Sequence, residues 1–367
     1  MFIVDGHEDI ASNALHNNHD VRLSVAEIRA AQSGPPEGAF GALPHAREQA
    51  MIGLPELRLG GVGLVFATIF TFPAEPEAST KAGLDQLFYY HDLARQDLGV
   101  RLIRSRSELD TLVADWNAAP TPEERPVGLL LLMENADPIS KPTELYEWVN
   151  GGLRIVGPAW RGTRYAGGTG EPGPLTALGR GLLGEMRRLG VILDISHLAE
   201  ESFWQALDLF DGAVIASHAN CRAFTATDRH LSDEMIRALI TRDAVIGTVL
   251  ANKFLDPTWE PGALLPLDVV IRHIDHVCQL AGDATHCALG SDFDGGFGAE
   301  STPDGFNSVA DLGKIADTLA GHGYTDGDIE GIMGGNWLRL FRESFVAQSQ
   351  CHRLQHDLGR PETRAVS

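Results

Sequence analysis

The stretch 191–220, VILDISHLAEESFWQALDLFDGAVIASHAN, decides the fold. Its run Val191–Ile195 is short, apolar and β-rich, and it ends on Ser196-His197. Glu200–Leu209 follows with helical spacing, and Ala213–Ala216 is a second apolar run closed by Ser217-His218. Parallel strands cannot be joined by a tight hairpin and need a crossover of a dozen or more residues. The stretch therefore reads as one parallel β/α unit in which each strand stops at a histidine.

The same grammar repeats outward. Runs at Phe2–Val4, Val62–Phe70, Val127–Met133, Leu153–Val156, Val245–Val249 and Cys287–Gly290 bring the candidate strands to eight. Leu84–Leu98, Thr176–Leu189 and Asp233–Thr241 carry helical spacing between them. Apolar strands alternating with amphipathic helices predict an α/β sheet covered on both faces. Eight units in 367 residues fit a (β/α)8 barrel of the TIM type, a single domain over 1–367, better than an open doubly wound sheet. No GxGxxG follows the first strand, which removes the main support for dinucleotide binding. The Gly- and Pro-rich segments Ser33–Pro44 and Ala166–Pro174 read as long loops on the catalytic face, and the tail from Cys351 is polar.

Composition narrows the classes of function. A content of 44% hydrophobic and 22% charged residues suits a folded globule with a sizeable core. The formal net charge of -21 would repel a phosphate backbone, so nucleic acid is not expected as a partner. Four cysteines, Cys221, Cys278, Cys287 and Cys351, lack the paired spacing of a zinc ribbon or redox motif. The N-terminus reads as a strand without a secretion signal, and the apolar runs fall short of the roughly 20 residues that span a bilayer. A cytoplasmic protein with no membrane partner is the expectation.

Chemistry-bearing residues fall where strands end, the face on which barrels build active sites. His7 and Asp9 are two apart at the end of the first strand, so both can project to one side and share a cation. Alone, such a pair is more often a surface histidine and a helix-capping aspartate. Glu134 ends the third run, and His197 and His218 end the two runs quoted first. Four such placements in one structural position point to a metal centre with an open site for water, in zinc or a similar divalent ion. The last strand ends in Gly290-Ser291-Asp292-Phe293-Asp294-Gly295. Asp292 can move a proton there, or simply cap a helix, while Asp294-Gly295 reads as a turn.

DGHED, LLMENAD, DISHLA, ASHANCRA, DRHLSDE, GSDFDG and GGNWLRLF, in this order over nearly the whole chain, resemble the membrane (renal) dipeptidase family of amidohydrolases; LPELRLGGVGLVFATIF at Leu54–Phe70 is similar to its second-strand region. The resemblance implies two divalent ions, zinc by preference. His7 and Asp9 would hold one, His197 and His218 the other, and Glu134 would bridge both, placing it with Asp292 among the catalytic residues. It further implies that Arg229 grips a substrate carboxylate, that Asp292 shuttles a proton, and that the chain can pair as a homodimer.

One departure stands out. Aligning Gly152-Leu153-Arg154 with the family pattern places Trp160 where the family carries a histidine that contacts the scissile carbonyl. An indole N–H donates one hydrogen bond and titrates nothing. Arg161 and Arg164 are nearby cations that could supply the missing charge, and Trp160 could equally be a packing residue. The leading expectation is a zinc metallopeptidase that hydrolyses dipeptides, or similar small molecules with a free carboxylate, by an activated water. The alternatives are hydrolysis of another amide, an N-acyl amino acid or a lactone, and a non-catalytic small-molecule-binding barrel.

Overall fold

The computed structural model describes residues 1–32, 49–72 and 74–345. The Ser33–Pro44 segment and the tail from Cys351 lie outside them. The described residues form nine parallel strands: β1 (Ile3–Glu8), β2 (Val62–Ile69), β3 (Val100–Leu102), β4 (Val127–Met133), β5 (Leu153–Val156), β6 (Ile192–Asp194), β7 (Val214–Ala216), β8 (Val245–Thr248) and β9 (Cys287–Leu289). The ladder runs β1-β2-β4-β5-β6-β7-β8-β9 and returns to β1 through Asp5 and Leu289, so eight strands close a ring. These are the eight runs read from the sequence, and the fold is a (β/α)8 barrel.

β3 is the addition. It pairs with β4 alone, Val100–Leu102 against Val127–Leu129, and stays outside the ring. β4 then passes from β3 to β5 along the same edge, because β5 begins opposite Leu131.

Strand residues alternate between two apolar layers, as the period of two demands. Val4, Leu64, Phe66, Leu130, Leu132, Ile155, Ile192, Ile215, Val245 and Ala288 cluster inside the ring. Their neighbours Ile3, Val65, Ala67, Leu131, Met133, Leu193 and Ile246 face the helices. The helical stretch 336–345 belongs to the inner cluster through Trp337, Phe341 and Phe345. Trp337 packs edge-on against Phe66 at 4.8 Å and donates its indole N–H to Leu289 O at 2.9 Å. That packing accounts for the GGNWLRLF motif. Gly6 belongs to the same crowded interior, since a Cβ there would stand 2.6 Å from Ser217 O.

The outer helices begin where their caps sit. Ala177–Leu189 starts on Thr176 and Asp233–Thr241 on Ser232, each hydroxyl accepting from the third residue of its helix. Gly190 ends the former at φ 70°. The helix expected over 84–98 runs Pro76–Arg95. Cys221, Cys278 and Cys287 are buried free thiols. Among the described residues, no helix is long and apolar enough to cross a membrane.

Candidate metal centre and active site

Six side chains from five strand ends meet at the carboxyl-end mouth of the ring. β1 supplies His7 and, one residue past its end, Asp9; Glu134 follows β4 directly; His197, His218 and Asp292 stand two or three residues beyond β6, β7 and β9. His197 (φ 66°) and Asp292 (φ 62°) hold a left-handed backbone that non-glycine residues seldom adopt. Such strain persists where surrounding structure enforces it, commonly at sites of chemistry.

Glu134 lies at the centre. Its Oε1 is 3.2 Å from His197 Nε2 and 3.5 Å from His218 Nε2, while its Oε2 is 3.8 Å from His7 Nε2. The two oxygens thus face different histidine sets. The Nε2 atoms of His197 and His218 are 3.0 Å apart, and Asp292 Oδ1 is 3.9 Å from His7 Nε2. Three groups each bring their ligand atoms within 4.8 Å of one another: His7, Asp9 and Glu134; Glu134, His197 and His218; and His7, His218 and Asp292.

Burial favours the uncharged form of every member. It pushes Asp9 up to about 6 and carries Glu134 and Asp292 well above the usual carboxylate range, with neighbouring acids adding to the effect. It also takes His7 down to about 3 and His197 and His218 well below their ordinary value. Both ring nitrogens of His7 are buried and have no hydrogen-bond partner among the described residues. Neutral imidazoles and carboxylates in want of positive charge are the donor set of a divalent cation, and the mixed N/O ligands suit zinc or a similar borderline ion. The residues therefore fit a metal centre.

Supporting contacts orient these groups. The Ser217 hydroxyl donates to Asp194 Oδ2 at 2.6 Å and lies 2.7 Å from His218 Nδ1. The Thr169 hydroxyl is 3.1 Å from His197 Nδ1, and the Thr68 hydroxyl donates to Asp9 Oδ1. Asp294, expected as a turn residue, has φ 60° and also pins the next layer, its carboxylate accepting from the N–H groups of Met51 and Ile52. None of these roles has a spacing signature in the sequence.

Arg229, from the loop after β7, is buried against this cluster. Its Nη2 donates to His218 O at 2.7 Å, whereas its Nε and Nη1 are buried and, among the described residues, unpartnered. Trp160, from the loop after β5, is half-buried, with its ring 6.3 Å from that of His197. It meets Phe70 edge-on at 5.1 Å and Phe72 at 6.4 Å, two aromatics that sequence reading did not single out. Arg161 is exposed and stands 5.2 Å over the Trp160 ring. Arg164 is drawn away by a 3.2 Å ion pair with Asp137. The Ala166–Pro174 loop lies near the centre, as Thr169 shows, and Gly170 N donates to Asp228 Oδ2 beside Arg229.

Ring and cluster together define a metal-dependent hydrolase barrel. The model of the membrane dipeptidase family, peptidase family M19, matches residues 1–353, and the chain belongs to that family of metallopeptidases. A solved metallopeptidase described as dipeptidase AC superposes with a TM-score of 0.78 at 25% identity, covering 94% of this chain and 99% of that one. A metallopeptidase from Rhodobacter sphaeroides, solved with a phosphinate mimic of the dipeptide L-Ala-D-Ala, gives the same TM-score at 24% identity over 94% of this chain and 99% of that one. An uncharacterised protein of the pqqA 5' region of Klebsiella pneumoniae is 32% identical over 208 residues, 54% of this chain and 75% of that protein. An uncharacterised dipeptidase of Schizosaccharomyces pombe is 30% identical over 168 residues, 46% of this chain but only 40% of its own length.

Proposed function

We propose that this chain is a two-metal dipeptidase acting on dipeptides or similar small amides with a free carboxylate. The observation that carries the reading is the division of Glu134, with Oε1 toward His197 and His218 and Oε2 toward His7. In this reading His7 and Asp9 would hold one divalent ion and His197 and His218 the other, with Glu134 available to both and zinc the ion the donor set suits best. When bound, such a pair polarises a carbonyl and makes a water nucleophilic near neutral pH.

The protein's own groups do the rest. Arg229 offers the substrate carboxylate its Nη1 and the second N–H of Nη2, an end-on fork that matches carboxylate geometry. Asp292, beside His7, takes the proton from the attacking water and delivers it to the departing amine. The cluster and Arg229 are buried, so the charges they present to substrate act in a poorly screened setting. The Rhodobacter sphaeroides neighbour bound to a dipeptide mimic supports the choice of substrate class. The test is hydrolysis of a dipeptide library by zinc-loaded protein, and failure to turn over any member would defeat the dipeptidase reading.

Trp160 favours a second reading, hydrolysis of a non-dipeptide amide, an N-acyl amino acid or a lactone. Its indole faces His197 and carries no charge to set against a developing oxyanion. A screen of those substrates beside the dipeptides separates the two.

A further inference from the structure

The ring order places the two ends of a substrate. From β2 to β7 the closed ladder runs β2-β4-β5-β6-β7, four steps in a ring of eight, so the β2 and β7 loops face each other across the mouth. Arg229 stands on the β7 loop. Phe70 and Phe72 follow β2, and Trp160 from the β5 loop joins them edge-on. A small dipeptide with its carboxylate at Arg229 and its amide over the cluster therefore extends its amino-terminal residue toward these three rings.

A narrow cleft of about 10 Å³, room for about one water, borders Phe70 and Phe72 on that side and is lined also by Asp9, Asn13, His16 and Asn17. Its polar groups are already engaged. Asn13 Nδ2 donates to Asp9 O and to Asp294 O, Asn17 Nδ2 donates to Asn13 Oδ1, and His16 Nδ1 lies 2.9 Å from Ser12 O. The carboxylate of Asp294, which also borders the cleft, is occupied by two backbone N–H groups. Among the described residues, no lysine, arginine or glutamate lines it. An anionic side chain would meet the carboxylates of Asp9 and Asp294, whereas an apolar or aromatic one gains edge-to-face contacts and buried area against the three rings.

We propose that Phe70, Phe72 and Trp160 form a specificity wall that selects substrates whose carbonyl-supplying residue carries an aromatic or large aliphatic side chain. The proposal rests on the dipeptidase reading above and adds the side-chain class. The aromatic that replaces a histidine in the family pattern thereby becomes part of side-chain selection.

The test compares kcat/KM of zinc-loaded protein for Phe-Ala, Leu-Ala, Gly-Ala, Glu-Ala and Lys-Ala. Phe-Ala and Leu-Ala should exceed Gly-Ala on the order of tenfold to a hundredfold, the range expected for burying such a side chain. Phe72→Ala and Trp160→Ala should each cut the Phe-Ala to Gly-Ala ratio at least threefold, and Trp160→Phe should retain most of it. Equal rates for Gly-Ala and Phe-Ala, or a ratio unmoved in both alanine variants, would overturn the wall. A preference for Glu-Ala would overturn it in favour of Arg161 as the selecting group.

If no dipeptide is hydrolysed, the dipeptidase reading fails, and calorimetric binding of phosphinate isosteres of Phe-Ala and Gly-Ala judges the wall separately. At least tenfold tighter binding of the Phe-Ala isostere supports it. Equal or undetectable binding of both refutes it.

Discussion

The hydroxyl of Ser217 stands 2.7 Å from Nδ1 of His218. Because Ser217 spends its one proton on Asp194 Oδ2, it can only accept from His218, which fixes the proton on Nδ1 and leaves Nε2 bare toward Glu134. Thr169 stands in the same relation to His197 Nδ1. Ser217→Ala and Thr169→Val should each weaken metal binding about 10–100-fold, the usual cost of removing such an orienting partner. Competition with a chromophoric chelator measures this, with circular dichroism confirming an intact barrel. Unchanged affinity in both variants would show that packing alone orients the two rings.

Asp292 separates proton transfer from ligation. Its Oδ1 is 3.9 Å from His7 Nε2, and it shares a cluster with His7 and His218 but not with Asp9 and Glu134. Asp292→Asn should lower kcat about 10²–10⁴-fold, the range for losing a general acid–base, while metal content stays near two ions per chain. Glu134→Gln should instead lose metal and activity together. Metal content falling in step with kcat in Asp292→Asn would make Asp292 a ligand and leave the proton without its carrier.

The barrel was legible because buried parallel strands are continuous apolar runs, and all eight ring members stand out that way. β3 was not, since Val100-Arg101-Leu102 is three residues with a charge in the middle and pairs on one edge only. The helix over Pro76–Arg95 begins earlier than its pattern because its first turns are exposed and polar. His7, Asp9, Glu134, His197, His218 and Asp292 could be found as charged or imidazole groups at strand ends, whereas Arg229, one charge in a loop, stands out only through the family resemblance. Thr68, Thr169 and Ser217 could not, because small hydroxyls carry no signature until their partners are placed. The meeting of Phe70 and Phe72 with Trp160 depends on β2 pairing with β4 across the excluded β3, which only the ring order reveals.

Arg229 should read the substrate carboxylate as a fork. Among the described residues its Nε and Nη1 are buried without partners, and Nη2, which gives one N–H to His218 O, keeps a second that forms the fork with Nη1. Lysine keeps the charge but offers a single point of contact. Arg229→Lys should raise KM for dipeptides about tenfold or more, as expected for a lost charge-assisted hydrogen bond of about 1.5–3 kcal/mol. The same substrates with an amidated C-terminus should be poor for wild type and little worse for the variant. Equal penalties on acid and amide would place the arginine's role in holding the loop.

His273 should govern part of the acid sensitivity of the fold, away from the metal centre. Its Nδ1 accepts from Cys221 N at 3.1 Å and its Nε2 lies 3.0 Å from Leu255 O, so the neutral Nε2–H form satisfies both contacts. Burial, helped by Arg272 and His276 and opposed by the Leu255 carbonyl and Asp256, brings its pKa down to about 4. The unfolded chain has an ordinary value near 6.5. A folded pKa below the unfolded one means that the unfolded state takes up the proton first. Its contribution is therefore complete above about pH 6.5 and is lost as pH falls toward about 4, reaching about 3 kcal/mol at most. His273→Gln should be less stable than wild type at pH 8 by about 1–2 kcal/mol, since the amide reproduces the two contacts imperfectly. Urea unfolding at pH 8, 6 and 5 should show that difference shrinking as the buffer becomes more acidic, because glutamine has no proton to gain. A difference constant across the series would mean that His273 does not titrate within the range and that the acid sensitivity arises elsewhere.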